Sequence, residues 1–172
     1  MTRSYSRLEA SQAADALLKK HNVVSAPVPV ERLAKLEGVL VQRAELDDAL
    51  SGMVYIRDGL PIIGVNSRHH ENRQRFTIAH ELGHLLMHRT YIEAQIHVDT
   101  GFTLRRDSVS ATGTDAYEIE ANVFAAHLLM PTSWIEDEAK ESELDDEQGL
   151  AILARRFKVS VAALSNRLLY LS

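Results

Sequence analysis

The segment Arg75-Phe-Thr-Ile-Ala-His80-Glu81-Leu-Gly-His84-Leu-Leu-Met-His88 holds an H-E-x-x-H pair inside an uninterrupted apolar stretch of helical character. In a helix, residues four apart lie about 40° apart around the axis and one turn up, so the imidazoles of His80 and His84 can converge on a single cation. Glu81 then stands beside that cation rather than on it. A general base needs that position to take a proton from a metal-activated water, so the spacing points to metal-dependent peptide hydrolysis.

A chain with eight histidines can meet this pattern by accident, so the surroundings matter. Ile78, Ala79, Leu82, Leu85, Leu86 and Met87 make most of the segment apolar, which predicts a buried core helix. Histidine and glutamate are costly there unless paired or metal-bound. Three such residues at ligand spacing therefore favour a site over a satisfied core.

The third ligand must come from elsewhere. A metal site completed by a histidine ten residues after His80 is excluded, because that position holds Thr90 and the glycine expected seven residues after His80 is replaced by Met87. His88 continues the stripe but lies about 12 Å from His80 along a straight helix, too far to share one ion. It is expected at the helix end or behind the ligands. The remaining candidates stand in Tyr117-Glu118-Ile-Glu120-Ala-Asn122-Val-Phe124-Ala-Ala-His127-Leu-Leu-Met130-Pro131, a second apolar helix ended by its proline. Glu118 and Glu120 are about 200° apart on a helix, so one of them can face the metal. Glu118 shares its face with Asn122, Ala125 and Leu129, where small residues would let two helices approach, and it is the expected ligand. Asn122, one turn on, is expected to hold the other ring nitrogen of a ligand histidine. Glu120 is expected to be an exposed or structural acid near the positive end of its helix.

These two segments resemble the ImmA/IrrE family of prokaryotic metallopeptidases, with weaker likeness in Val28-Pro-Val-Glu-Arg-Leu-Ala-Lys-Leu-Glu-Gly38 and Leu60-Pro-Ile-Ile-Gly-Val-Asn66. His80, Glu81, His84 and Glu118 match the family's ligand and catalytic positions. His127 stands where the family often has glutamate. The resemblance implies an α+β, zincin-like single domain whose small three-stranded sheet packs on the active-site helix, with an edge strand that binds substrate backbone by strand addition. It further implies a bound Zn²⁺, with Mn²⁺ also possible, and a protein substrate of the helix-turn-helix repressor class. The competing expectation is a catalytically silent binding module that grips a repressor, an antitoxin or DNA. Unchanged Glu81 and Glu118 argue against it.

The order of local signals agrees with that class. Residues 7 to 20 read as a helix with Leu8, Ala13, Ala14, Leu17 and Leu18 on one side, and Val30 to Glu37 as a short helix stopped by Gly38. Val39-Leu-Val-Gln, Gly52 to Arg57 and Leu60 to Val65 are strand-like, and Asp58-Gly59 is a hairpin signal. Tyr91 to Ala116 has weak periodicity and is expected to cross the surface near the cleft. His97 and Asp99 within it could mimic ligands. Tyr91, Tyr117 and His127 are eligible types for stabilising an oxyanion, with no ground to choose among them.

Beyond Pro131, eight acids between Glu136 and Glu147 precede a stretch with Arg155, Arg156, Lys158 and Arg167 and no acid. That stretch reads as two helices with Ser160 capping the second, a helix-turn-helix shape in which Leu153, Phe157, Val161, Leu164, Leu168 and Leu169 would pack. Residues 1–131 are accordingly expected to form the peptidase core, and residues 132–172 a helical extension packed on the same domain. With no cysteine, disulfides and thiolate metal sites are excluded. The absence of an apolar leader or membrane-length run leads to an expected cytoplasmic location. A formal charge of −5 disfavours nucleic-acid coating, so DNA binding is expected to be weak or absent.

Overall fold

The computed structural model describes residues 5–96, 114–141 and 147–171. Helix α1 (Arg7–Lys20) starts at a reciprocal cap: Glu9 N–H donates to Ser6 Oγ at 3.2 Å, and Ser6 N–H donates to Glu9 Oε2 at 2.8 Å. Helix α2 (Val30–Leu36) stops just before Gly38, whose φ of +76° suits a residue without Cβ. Strands β1 (Leu40–Ala44), β2 (Gly52–Arg57) and β3 (Leu60–Asn66) follow. Asp58 and Gly59 both have positive φ, as a two-residue hairpin turn between β2 and β3 requires. The sheet order is β1-β3-β2: β3 is central, parallel to β1 and antiparallel to β2. Among the described residues β2 therefore has one edge without a strand partner.

Helix α3 (Glu71–Ile96) lies on this sheet and also packs against α4 (Thr114–Leu129), which in turn packs on α1. Alternation in the strands aims Ile63 and Val65 of β3, with Val54 opposite Ile63 on β2, into the same apolar core as Ile78 and Leu82 of α3. The α3–α4 approach is close because position 83 is glycine. A Cβ there would stand 2.9 Å from Cδ1 of the fully buried Phe124. Gly52 plays the same part between β2 and α3, where a Cβ would collide with the Thr77 methyl group and lie 2.7 Å from the Gly64 carbonyl oxygen. Neither contact is visible in local sequence patterns.

After α4 come α5 (Thr132–Glu141), α6 (Glu147–Phe157) and α7 (Val161–Leu169). Ser160 caps α7 as expected, accepting from Ala163 N–H at 3.1 Å. Leu153, Phe157 and Leu164 enter the common core. The turn before α7 is tied to α3 by Asn72 Nδ2, which donates to Val159 O at 3.0 Å, and by Arg75 Nε, which donates to Lys158 O at 3.2 Å. His127 links three helices. Its Nε2–H donates to Asp15 Oδ1 of α1 at 2.9 Å, while its Nδ1 accepts from the Arg167 guanidinium of α7 at 2.8 Å. Arg167 also donates to Met130 O and Thr132 Oγ1.

Several expectations need correction. Leu8 is 67% exposed and Leu169 73%, and Val161 and Leu86 also face solvent. In α1 the buried set is Ala10, Ala14, Leu17 and Leu18, so the true stripe excludes the first apolar residue. Tyr91 to Ile96 continues α3 rather than opening a loop, and Thr114 to Ala116 begins α4. His97 and Asp99 lie outside the described residues. Among the described residues, no helix is long and apolar enough to cross a membrane.

Two stability measurements follow. Gly83→Ala gains about 1 kcal/mol of helix propensity but overpacks against Phe124, which typically costs about 1–3 kcal/mol. Urea denaturation is expected to show a net loss; a gain would mean that α4 can shift at no cost. Burial pushes the His127 imidazole below its ordinary value, and Arg167 adds to this against the pull of Asp15. The unfolded chain then binds the proton more readily, so this contribution to stability is present above about pH 6.5 and is lost as pH falls through that value toward the folded one. His127→Gln should therefore lose less stability than the parent between about pH 7 and pH 5 in paired denaturation curves.

Candidate metal centre

The face of α3 that carries His80, Glu81 and His84 opens into a cavity of about 230 Å³. Ser51 and Gly52 at the start of β2 line one side, and Tyr117 and Glu118 of α4 the other. The β1–β2 connection is held in place from below by the buried Asn66. Its Nδ2 donates to Leu50 O at 2.9 Å and Asp47 O at 3.0 Å, and its Oδ1 accepts from Arg68 N–H at 3.1 Å. Asn66 N–H donates to Ser51 O at 2.9 Å, which fixes the point where β2 enters the cleft. No local sequence pattern singles out Asn66 for this part.

Within the cavity the structure brings His80, His84 and Glu118 together. His80 Nε2 lies 3.1 Å from His84 Nε2 and 3.3 Å from Glu118 Oε2, and His84 Nε2 lies 3.2 Å from Glu118 Oε1. Donors bound tetrahedrally to one ion at about 2.0–2.1 Å stand about 3.3 Å apart. The separations are of that order, and one donor atom from each of the three side chains lies within 4.8 Å of the others, close enough to share one ion. Burial alone would raise the Glu118 carboxyl, but hydrogen bonds and charge from the two imidazoles outweigh it and hold the group well below the usual carboxylate range. A carboxylate kept ionised beside two imidazole nitrogens suits a divalent cation.

The surroundings set the chemistry of those nitrogens. His80 Nδ1 lies 3.0 Å from Asn122 Oδ1, an acceptor, so a metal-bound His80 would keep a proton on Nδ1 and offer Nε2 to the ion. This is the contact expected of Asn122. His88 is not a donor to the cavity: its Nδ1 lies 3.2 Å from His84 Nδ1, and its Nε2 lies 2.7 Å from Glu120 Oε2. The α3 backbone departs from helical angles at His88, where the ring packs 4.4 Å from Tyr117 and 6.0 Å from Tyr5, centroid to centroid. Burial pushes the His88 imidazole below its ordinary value, ahead of the opposing hydrogen bond that the ring donates to Glu120.

Glu120 is thus not an exposed acid. It is 3% exposed and held by His88, because α4 lies close enough to α3 for both its glutamates to meet histidines, Glu118 at the cleft and Glu120 beneath it. The side-chain angle of about 200° separated the two carboxylates correctly but did not say that the second would also be buried. Of the residues eligible to stabilise an oxyanion, Tyr91 and Tyr117 line the cavity, while His127 is engaged by Asp15 and Arg167.

A family model for the IrrE N-terminal-like domain matches residues 34–169. "Uncharacterized immunity region protein 2" of Bacillus phage phi105 is 38% identical over 88 residues, which is 49% of this chain and 48% of that protein. The solved structure of a Mycobacterium tuberculosis transcriptional regulator superposes with a TM-score of 0.67 at 22% identity, over 94% of this chain and 46% of the other. At that identity the likeness is one of fold. The chain spans about half the length of both relatives.

Asn122→Ala frees the outer nitrogen of His80 and is expected to weaken divalent-metal affinity by about 10- to 100-fold, read by competition with a chelator. Unchanged affinity in a folded variant would show that Asn122 serves packing alone.

Proposed function

This chain belongs to the IrrE N-terminal-like metallopeptidase family, and within it we propose that the chain is a metal-dependent endopeptidase whose substrate is a helix-turn-helix transcriptional repressor. The observation that carries the reading is the convergence of His80, His84 and Glu118 in one cleft that also presents Glu81 and the entry of an edge strand. We assign His80, His84 and Glu118 as the ligands, Glu81 as the general base and Zn²⁺ as the ion, with Mn²⁺ as the alternative. When bound, the ion supplies Lewis acidity, lowering the pKa of a water toward neutrality and polarising the scissile carbonyl.

The protein's own groups do the rest. Glu81, one position from the first histidine, takes the proton of the attacking water and passes it to the leaving amine as the C–N bond breaks. The free edge of β2 offers backbone N–H and C=O groups to an extended substrate segment, which aligns the scissile bond along the cleft. Buried walls from α3 and α4 limit water around the reacting groups and strengthen their electrostatic interactions.

The repressor class rests on the family and on the immunity-region and regulator names of the relatives. A transcriptional repressor as substrate also places the protein in the cytoplasm. The C-terminal pair α6–α7 has the shape of a helix-turn-helix, but three of its four basic residues have partners within the protein. Arg156 pairs with Glu138 at 2.6 Å, Arg167 is turned into the core-side cluster around His127, and Lys158 lies 3.8 Å from Glu71. That pattern favours a structural extension over a DNA reader.

The decisive experiment incubates the metal-loaded protein with the repressor encoded beside its gene. Cleavage is expected from the parent and from none of His80→Ala, His84→Ala or Glu118→Ala. Glu81→Gln should keep fold and metal and lose about 10²- to 10⁴-fold in rate. A parent that binds the repressor and metal but never cuts would replace this reading with that of a binding module.

A further inference from the structure

We propose that Arg73 is a specificity-determining residue that selects substrate segments carrying an acidic side chain about three residues from the scissile bond. This inference rests on the peptidase reading above and adds to it the kind of peptide that the cleft takes. Arg73 lines the same cavity as His80, Glu81, His84 and Glu118, and among the described residues that line it Arg73 is the one with a permanent positive charge.

Position in the helix sets the distance. Arg73 stands seven residues before His80 in α3, about 20° short of two full turns, so both side chains leave the same face about 10 Å apart along the axis. An extended chain covers that length in about three residues. Ser51 meets Arg73 and Gly52 packs against Thr77, so β2 enters the cleft over this end of α3. A segment added to the β2 edge would therefore pass Arg73 on one side of the reacting carbonyl.

What Arg73 touches leaves its charge unanswered. Its Nη2 donates to Ser51 Oγ at 2.8 Å, and among the described residues no carboxylate pairs with it. The other arginines of α3 are engaged. Arg75 donates to Val28 O at 2.8 Å and to Lys158 O, and Arg89 pairs with Glu93 at 2.8 Å. A cation in the first turn of a helix gains nothing from the helix dipole, so α3 alone does not explain the residue. The Ser51 hydroxyl steadies one nitrogen of the planar fork, and the remaining N–H groups can meet a carboxylate two at a time. At the other end of the cavity stand the carboxylates of Glu81 and Glu118, so the two ends differ in the sign of charge their side chains offer. With a net charge of −5 the protein as a whole does not attract acidic segments, and selection falls to this one residue.

Binding and cutting are read separately. A random peptide library is panned on the Zn²⁺-loaded Glu81→Gln protein, which should hold peptides without cutting them. A synthetic peptide mixture is digested with the Zn²⁺-loaded parent, and the new ends are identified by mass spectrometry. Asp and Glu are expected over Lys and Arg by about 5- to 10-fold at one position about three residues from the cut, a preference that shrinks as salt rises. Made in both backgrounds, Arg73→Gln, which can still donate to Ser51, should erase the preference, and Arg73→Glu should turn it toward Lys and Arg. A merely structural Arg73 would lower binding and rate without changing which charge is preferred. Thermal denaturation checks that each variant is folded, and Arg73→Gln remains if Arg73→Glu is not. A parent indifferent to charge at every position, or an acidic preference that survives either substitution, would overturn the proposal. Acidic peptides selected through Arg73 by a protein whose parent cuts nothing would leave the proposal standing and sink the peptidase reading; charge-blind cutting would do the reverse. A protein that neither binds nor cuts any peptide would overturn both.

Discussion

Everything at the candidate centre depends on how closely α4 can lie against α3. His80 and His84 belong to one helix and Glu118 to another, and separations near 3.2 Å tolerate little drift between the two. Gly83 sets that approach. It faces Phe124, whose ring occupies the volume where any larger residue would carry its Cβ. The glycine in H-E-L-G-H thus has a packing duty toward α4 while its neighbours on either side carry the polar chemistry. A wider gap would take Glu118 out of reach of both imidazole nitrogens.

The same close approach obliges the protein to satisfy an unusual number of buried polar groups. His80, His84, His88, Glu120, His127 and Asn66 are all buried, and each has a named partner. Left unpaired, each would cost on the order of 1–3 kcal/mol. Paired, they fix orientations that an apolar core leaves loose, since hydrogen bonds are directional and dispersion contacts are not. Asn66 holds the strand entry, Asn122 and His88 hold the rings of His80 and His84, and His127 pins α1 and α7 to α4. The polar interior is a scaffold for the cleft, with each network acting on one of its walls.

The sheet contributes in a different way. With β3 central and fully paired, β1 and β2 take the edges, and it is the entry of β2 that borders the cleft. An edge strand next to an open cavity is an aggregation hazard unless it is covered or used. Strand addition by a substrate segment would use it. The fold survives wide sequence change, as the 22% identity to the regulator structure shows, because such an architecture needs buried apolar faces at the right period more than particular side chains.

What was legible in the sequence was local. The i, i+4 spacing put His80 and His84 on one face, Gly38 stopped α2, Asp58-Gly59 turned the hairpin and Ser160 capped α7, each through forces acting within about one helical turn or one tight turn. That Glu118 would face His80 and His84, and that Asn122 would meet a histidine, was also readable, because each follows from helix periodicity once two apolar helices are assumed to pack. The tertiary structure decided the remainder. That Leu8 and Leu169 stay in water while Glu120 is buried reverses what hydrophobicity suggests for those positions, since burial depends on which neighbour covers a face. Leu50 lies 16 residues from Asn66, Glu120 32 from His88 and Asp15 112 from His127, and Gly83 meets Phe124 across a helix interface. A periodic pattern can say which way a side chain points from its own helix, but what it meets there is settled only when the other elements arrive.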